Sequence, residues 1–423
     1  MSPIKMTWLL LTAVLVFISG PRPCAAERPS PESGPENSTE RRATKFNYEA
    51  LLKTIQADAA PVVDKITGRV AVDSKDWLYA AHFSPVFYQG VGRTPRGDYM
   101  LKFNYDGDWS GINNWHNLDS SNADYHGYVY FSTAETLTHF FIFYVVFHAR
   151  DYKRIAEQVY LFGGTAGWLL EKHLWHENDL EGSVVVIKKN GDDPKAGEVV
   201  LVETMAHFRF FLFPTDTFLK YFTEKLLKTR KMNKAHQVAM DESHPRLFIE
   251  PEGHGIMRYE GKLEKNMMVY RYKAQTENPE RADHSNIGYN LIPIYNTFWE
   301  RACADIDAEN VTFGSVLEFT FEPPERAPTF FHHKIQPGKK DLTVNIGVAL
   351  KGRVHGANKA RLPWGWWDRF DRPTWNGSWY FDPAQVVKQQ FNLGDDFSTD
   401  YIHNPSINIF CREPKACLPP DNK

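Results

Sequence analysis

The densest group of metal-binding side chains in this sequence lies in His176–Gly182, which reads HENDLEG and precedes the apolar run Val184–Ile187. If the segment enters a strand, Asp179 and Glu181 project from one face, because residues two apart in a strand share a face. His176 reaches that face only if the backbone turns or bulges between it and Asp179. The spacing therefore predicts that two carboxylates lie side by side. The imidazole of His176 joins them if the backbone turns or bulges before Asp179.

Carboxylates that converge on one point repel one another and resist ionisation unless a cation lies between them. Glu177 adds a further carboxylate, or a contact to the site, if the extended conformation begins that early. Oxygen donors with one imidazole suit hard divalent cations such as calcium, magnesium or manganese better than a thiolate-preferring metal. We expect Ca²⁺ or Mg²⁺ at His176, Asp179 and Glu181, and the alternative is an acidic polar loop without a cation.

Three further segments are candidates for the same site. The run Thr138–Phe147 is followed by His148 and then by Asp151, so a carboxylate comes just after the end of an apolar strand. Asp151 is a fourth candidate metal ligand, and a helix or turn cap is its alternative role. His254 lies between two glycines after another candidate strand. With His148 it is a candidate contact to the metal or its ligand, and an exposed turn histidine is the alternative. For residues 124–127, DYHG, ordinary turn chemistry is the better interpretation.

The elements that must position these residues are mainly strands. Phe140–Phe147 is continuously apolar, which is typical of a strand buried on both faces, although a buried helix has the same pattern. Helices are expected at Asn47–Ile66, Asp216–Lys231 and Ala384–Phe391, without βαβ alternation. We expect a mainly β fold with appended helices, a β-sandwich with a divalent-cation site at one end. The expected strands are Tyr128–Phe131, Thr138–Phe147, Ser183–Lys189, Val199–Phe208, Leu247–Glu250, Met267–Tyr272 and Leu342–Leu350.

The N-terminus has the pattern of a secretory signal peptide over residues 1–26, with Lys5, the apolar run Trp8–Ile18 and small residues at Cys24–Ala26. Residues 27–45, rich in Pro, Ser, Glu and Arg, are expected to form a disordered tether. The mature protein is therefore predicted to be secreted or periplasmic. No apolar run has the length of a transmembrane helix, and peripheral contact with a membrane is left open.

The remaining chain is expected to form a β-sandwich domain over 46–340 with the N-terminal helix, and a Trp-rich C-terminal region over 341–423 packed on or beside it. Trp364–Trp367 is either a platform for carbohydrate stacking or part of the core, and the core is the better interpretation. The same choice between a contact surface and the core arises for the apolar run Val159–Leu170. The formal net charge of −3 argues against nucleic acid as a partner, because such proteins usually have a basic surplus.

The order of these motifs resembles two related groups of proteins. FYVVFHARD at residues 143–151 is followed by HENDLE at 176–181 and a Val-rich strand. In the necrosis- and ethylene-inducing-like proteins the hallmark heptapeptide is GHRHDWE, and in the vacuolar-protein-sorting-62-like proteins the equivalent reads HEGDWE. Residues 176–181 match the second motif with Asn for Gly and Leu for Trp. Residues 251–255, PEGHG, also resemble a downstream Gly/Ser-His element of the second group. The resemblance covers about residues 125–260.

This resemblance implies a β-sandwich with calcium or magnesium held by carboxylates and a histidine at one end. By that comparison Asp151, His176, Asp179 and Glu181 take the positions of the metal-site residues. The chain between Asp151 and His176 is longer than in the necrosis- and ethylene-inducing-like proteins, and Leu180 stands where their heptapeptide has tryptophan.

Three functions remain open, in this order. The first is a secreted protein that binds a glycan or a lipid head group through a divalent cation. The second is a purely structural cation that ties loop ends together. The third is a metal-dependent hydrolase of ester or phosphodiester bonds, with His176 or Glu177 as general base. The sequence has no familiar catalytic signature, and whether the protein is an enzyme is left undecided.

Overall fold

The structure is a computed structural model, and it describes the segments of the chain given at the end of this paragraph. Tyr48–Lys423 is one compact unit. Four predictions lie outside the described residues, namely the signal peptide, the tether, the apolar run Val159–Leu170 and the helix Asp216–Lys231. The domain boundaries at 46 and 340 stay predictions. The described residues are 61–63, 70–152, 175–207, 209–215, 236–261, 266–303, 311–321, 334–335, 342–354, 360–366, 377–391 and 396–408.

The described residues are mainly in strands, with short helices between them. No helix among them is long and apolar enough to cross a membrane. The strands are β1 Val62–Val63, β2 Val70–Val72, β3 Val86–Gly90, β4 Gly127–Thr136, β5 His139–Asp151, β6 His176–Lys188, β7 Glu198–Met205, β8 Phe210–Pro214, β9 Met240–Asp241, β10 His244–Ile249, β11 Ile256–Arg258, β12 Met267–Tyr272, β13 Ile287–Pro293, β14 Phe313–Phe321, β15 Lys334–Ile335, β16 Leu342–Leu350 and β17 Tyr401–His403. The α-helices are α1 Ser74–His82, α2 Asn114–Asn117, α3 Glu300–Cys303, α4 Ser378–Phe381, α5 Pro383–Gln390 and α6 Pro405–Asn408. Single helical turns of other types lie at Pro95–Asp98, Pro194–Ala196, Tyr295–Trp299 and Pro363–Gly365.

One mixed sheet contains most of the described strands, in the order β11-β10-β3-β12-β13-β4-β5-β6-β7-β8, with β9 beside β10 and β17 beside β4. The pairs β3/β10, β12/β13 and β13/β4 are parallel. Strand β11, at one end of this order, also lies against β6 and β7 near the other end. The sheet therefore curves back on itself, so that strands from its two ends come close together. The prediction of a mainly β fold with appended helices is confirmed.

Strands β5 and β6 form the centre of the core and are covered on both faces. Every residue of β5 is buried, and in β6 only Lys188 is exposed. On one face, Tyr79 of α1 stacks on Phe140 with ring centroids 4.2 Å apart, and the Tyr144 hydroxyl donates to the backbone of α1. On the other face, Phe143 packs against Tyr380 of α4 at 5.3 Å. The alternation of Phe140, Phe143 and Tyr144 between faces is that of a strand, so the prediction of a doubly covered strand is confirmed.

The described tryptophans of the C-terminal region, Trp364, Trp366 and Trp379, lie in the core. Trp364 is fully buried, packs edge-on against Trp299 at 4.9 Å, and donates from Nε1 to the carbonyl of Gly347 at 2.7 Å. Trp366 lies directly against β6, because a Cβ atom added to Gly182 would come within 2.3 Å of its ring. The core interpretation is confirmed for these two residues, and Trp367 lies outside the described part of the chain.

Some elements differ from the expected ones. Strand β6 begins at His176, seven residues before the predicted start, because its pairing with β5 continues to Asp151. Val62–Val63 forms β1 instead of ending the predicted helix Asn47–Ile66, whose earlier residues are not described. Strand β13 was not expected, since it contains Gly, Asn and Pro, which are disfavoured in strands. It forms because β12 and β4 pair with it on both sides.

A buried carboxyl near the C-terminus gives a prediction for the pH dependence of stability. Asp382 caps α5 by accepting from the Gln385 amide, and it accepts from the Tyr401 hydroxyl at 2.7 Å. Burial raises the pKa of Asp382 from 3.8 to about 7. Between about pH 3.8 and pH 7, Asp382 keeps its proton in the folded state and has released it in the unfolded state. The free energy of unfolding therefore falls as pH rises through this window.

The variant Asp382→Asn is expected to lose most of this pH dependence, which amounts to at most about 4 kcal/mol. Urea unfolding at about pH 4 and about pH 8 measures the difference. The exposed Asp396→Asn is the control and is expected to retain the wild-type pH dependence. Equal pH dependence in wild type and Asp382→Asn would contradict the assignment.

Candidate metal centre

The backbone of β6 turns at Asn178, and this turn brings the candidate ligands together. In the pairing of β5 with β6, Asp151 lies opposite His176 and His148 lies opposite Asp179. Asn178 has a φ of +60°, in the left-handed region. The turn interrupts the two-residue alternation, so His176 and Asp179, three residues apart, reach one side of the strand. We expected His176 to join Asp179 only if the backbone turned or bulged between them, and the left-handed Asn178 meets this condition.

Three buried side chains then converge at the end of β5 and β6. Asp151, His176 and Asp179 each offer a donor atom, and these atoms all lie within 4.8 Å of one another. The three residues are 4%, 5% and 6% exposed. Donors bound to one divalent ion at 2.0–2.6 Å are at most about 5 Å apart. The spacing and donor chemistry of this group fit a single divalent cation.

The hydrogen bonds of His176 determine which of its nitrogens faces the group. Nδ1 lies 2.8 Å from the carbonyl oxygen of Asn178, and a carbonyl only accepts, so Nδ1 carries a hydrogen. Nε2 lies 3.1 Å from Oδ2 of Asp151. If the ring is neutral with its hydrogen on Nδ1, then Nε2 can only accept, and it faces Oδ2 of Asp151, which is also an acceptor. A cation or a proton between the two atoms removes that conflict, and a neutral imidazole with a free Nε2 is the form that binds metals.

Behind Asp179 lies a fully buried imidazole. His254 Nδ1 is 2.9 Å from Asp179 Oδ2, and its Nε2 is 3.2 Å from Asp98 Oδ1. Burial by itself lowers the pKa of His254, but the hydrogen bonds to Asp179 and Asp98 raise it to about 10. His254 is therefore an imidazolium that donates to both carboxylates. It holds Asp179 in place and partly balances the negative charge of the centre.

The position of His254 depends on a tight turn between β10 and β11. Glu252 and His254 have φ angles of +65° and +49°, both in the left-handed region. Asp98 fixes this turn, because Oδ1 accepts from the Glu252 amide at 2.7 Å and Oδ2 accepts from the Gly92 amide at 2.8 Å. Asp98 thus joins the turn to the buried imidazolium.

The structure places His148 in a second layer, against His254. The two rings stack with centroids 3.7 Å apart and planes 4° from parallel. Nε2 of His148 lies 3.0 Å from Oε1 of Gln89. Burial, and then the positive charge of His254, lower the pKa of His148 well below its usual value. His148 is therefore neutral and packs as an apolar ring behind the candidate ligands.

Glu177 and Glu181 have contacts of other kinds. Glu177 is fully used as a backbone acceptor, from the amides of Trp115 and Arg353, both at 2.7 Å. Glu181 Oε1 accepts from the His207 amide at 3.2 Å, and His207 in turn contacts Glu250 at 2.7 Å. Neither carboxylate belongs to the group of three within 4.8 Å among the described residues. Glu181 lies along the same strand as that group, bonded to the turn after β7.

Half-buried aromatic rings flank the centre. Tyr152 follows Asp151 and Trp175 precedes His176, and their ring centroids are 5.2 Å apart. Trp115 lies 4.8 Å from Tyr152 and 6.4 Å from Trp175. The three rings form an aromatic cluster next to the candidate metal-binding group, since Tyr152 and Trp175 adjoin Asp151 and His176 in sequence.

Asp98 and Gln89 are contributors that the sequence did not reveal. Gln89 lies in β3 and Asp98 in the helical turn Pro95–Asp98. Residues 89–127 are rich in aspartate, asparagine and glycine, so composition does not distinguish Asp98 from its neighbours. In the segment 124–127, Asp124 contacts His126 and Lys102, and its bonds to the backbone and ring of His126 are ordinary turn chemistry.

Comparisons with known proteins find similarity only in structure. No protein-family model and no curated protein sequence matches the chain. The crystal structure of the non-toxic HaNLP3 protein is 15% identical, covers 58% of this chain and 88% of its own, and has a TM-score of 0.27. Necrosis and Ethylene inducing Protein 2, from the causal agent of cocoa's Witches Broom disease, is 14% identical over 57% of this chain and 84% of its own, with a TM-score of 0.25. NLPPya in complex with glucosamine is 15% identical over 61% of this chain and 92% of its own, with a TM-score of 0.26. These structurally similar proteins are necrosis- and ethylene-inducing-like proteins.

Proposed function

We propose that this protein binds a glycan or a lipid head group through a divalent cation held at the end of β5 and β6. The observation that carries the proposal is the arrangement around His176. Its Nδ1 is bonded to a carbonyl, and its Nε2 faces the Asp151 carboxylate, with Asp179 beside them. A divalent cation at this point could be bound by Asp151, His176 and Asp179 at the same time.

In this proposal Asp151, His176 and Asp179 hold the cation, and Glu181 is the adjacent carboxylate. Calcium accepts six to eight oxygen ligands and magnesium six, so three protein donors leave positions for hydroxyl or phosphate oxygens of a ligand. The aromatic cluster of Trp115, Tyr152 and Trp175 offers ring faces for a sugar beside the cation. The cation would supply charge and coordination, while the side chains fix its position.

A purely structural cation is the second candidate, and a specific observation favours it. The three donor residues are at least nine-tenths buried, and a closed, buried donor set is typical of cations that stabilise a fold. The two candidates differ in one measurable respect. A structural cation raises the melting temperature without changing the binding of any ligand, whereas the proposed binding function requires the cation for both.

Asp151→Asn is expected to lower the affinity for calcium or magnesium by at least about 100-fold, or about 2.7 kcal/mol. The substitution removes a charged donor while leaving both bonds of His254 intact. Isothermal titration with CaCl₂ and MgCl₂ measures the affinity. The matched control is Asp283→Asn, which changes an exposed carboxylate paired with Arg281. Absence of any divalent-cation binding by the wild type would refute the proposal.

The ligand is tested with glucosamine and mannosamine, the sugars in complex with NLPPya in two neighbouring structures, and with vesicles bearing phosphorylated head groups. Binding in calcium that disappears in EDTA is the expected result. Binding that is identical in EDTA, together with a chelator-sensitive melting temperature, would indicate the structural cation instead.

Secretion is also part of the proposal, and it rests on the pattern of residues 1–26. Expression of the full chain in a cell with a secretory pathway should give an exported protein that starts after Ala26. Retention of the intact N-terminus inside the cell would contradict this part of the proposal.

A further inference from the structure

We propose that Asn178 is the positioning residue of the candidate metal centre, and that it acts with Glu177 to hold β6 in the turned conformation. The inference rests on the proposed function, since the centre is the site whose geometry Asn178 would set. Glu177 is not part of the group of Asp151, His176 and Asp179, and the side-chain amide of Asn178 is bonded elsewhere, to Gly111, Lys351 and Asn114. Their role is to determine where those donors lie.

The first argument concerns the backbone. A regular strand would place His176 and Asp179 on opposite faces, because they are three residues apart. Their donor atoms nevertheless lie within 4.8 Å of each other, and between them Asn178 has a φ of +60°, which breaks the regular strand conformation. Asparagine enters the left-handed region more readily than other residues with a side chain, except for aspartate, and β-branched residues are strongly disfavoured there. The residue type at 178 therefore matches the conformation that the centre needs.

The second argument concerns the side chain of Asn178, which is fully buried and fully bonded. Its Nδ2 donates to the carbonyls of Gly111 and Lys351 at 2.7 and 2.8 Å. Its Oδ1 accepts from the side chain of Asn114 at 2.7 Å. A Cβ at Gly111 would lie 2.2 Å from the Lys351 carbonyl, so the two loops are in close contact around this amide. The side chain thus locks the left-handed residue against both loops.

The third argument is that Glu177 binds the same two loops through their amides. Its two carboxylate oxygens accept from Trp115 and Arg353, next to the carbonyls that Asn178 binds. Consecutive residues therefore bond to one carbonyl and one amide in each of the segments 111–115 and 351–353. This two-residue clamp holds the backbone around Asn178.

The fourth argument is the ring of His176. The backbone carbonyl of Asn178 accepts from His176 Nδ1 at 2.8 Å. This bond directs Nε2 toward Asp151 and sets which nitrogen carries the hydrogen. If residue 178 left the left-handed region, that carbonyl would move and the ring would lose its orientation.

The test compares Asn178→Gly, which keeps access to the left-handed conformation, with Asn178→Val, which disfavours it. Calcium titration of the full chain is expected to show a loss of less than about 10-fold for the glycine variant and about 10–100-fold or more for the valine variant. Thr133→Val, on β4, is the matched control, because it removes a buried hydrogen bond to Asp76 away from the centre. It is expected to lower the melting temperature in EDTA while retaining the calcium affinity.

A second readout does not require a metal. The ¹⁵N chemical shifts of histidine report which ring nitrogen carries hydrogen. His176 is expected to be protonated at Nδ1 in the wild type and in Asn178→Gly, and to lose that preference in Asn178→Val. If this pattern is seen while the wild type binds no cation, the positioning role stands and the proposed function fails. If His176 and the calcium affinity are unchanged in Asn178→Val, the positioning role is wrong.

Discussion

Replacement of His254 by leucine is expected to lower the free energy of unfolding by about 3–5 kcal/mol, because it leaves two buried carboxylates without their counter-charge. The imidazolium of His254 lies between Asp98 and Asp179, and no part of its side chain is exposed. Leucine has a similar volume, so the loss measures charge and hydrogen bonding more than packing. Urea unfolding in EDTA, in which no divalent cation contributes, gives the value.

Two further variants separate the causes of this loss. His116→Leu changes an exposed histidine and is expected to change stability by less than about 0.5 kcal/mol. The double variant Asp98→Asn with His254→Leu removes one of the two stranded charges, and it should be more stable than the sum of the single losses. A His254→Leu protein within about 1 kcal/mol of wild type would contradict the buried ion pair.

The second large effect is expected for Trp364→Ala, with a loss of about 3–5 kcal/mol. The indole is fully buried, contacts Trp299 and Tyr380 at 4.9 and 5.4 Å, and donates to the carbonyl of Gly347. Its removal leaves a cavity between Trp299 and Tyr380 and an unsatisfied acceptor at Gly347. Thermal and urea unfolding measure the loss.

Trp364→Phe is the control for this prediction. Phenylalanine keeps most of the apolar contact but loses the hydrogen bond to Gly347, so the expected loss is about 1–3 kcal/mol. If Trp364→Ala unfolds like the wild type, then the tryptophan-rich segment does not contribute to the core, and the carbohydrate-platform interpretation would regain support.

The sequence predicts much of the sheet because its apolar patterns are local. The run of β5 and the Val-rich part of β6 are continuously apolar, and both are covered on two faces. Strand β12 was predicted at its observed bounds. Strand β13 was missed, because glycine, asparagine and proline hide its pattern and neighbouring strands supply its hydrogen bonds. Pairing between distant segments is not visible in a local pattern.

For the candidate centre, the sequence by itself determined the donor chemistry. His176, Asp179 and Glu181 were candidate ligands by residue type and spacing, and Asp151 by its place after a strand. The structure brings Asp151, His176 and Asp179 together, and the condition for His176 was a turn or bulge before Asp179. Only the tertiary structure shows that Asn178 is left-handed, because the loops whose carbonyls its side chain binds are far away in the sequence.

The tertiary structure alone also decided the roles of the other acidic and histidine side chains. Glu177 binds the amides of Trp115 and Arg353, and His254 is an imidazolium because Asp179 and Asp98, the latter 156 residues earlier, lie beside it. The physical reason is that residue type fixes what a side chain can bind. Burial and the neighbours brought by folding fix its charge, its direction and the partner that it binds.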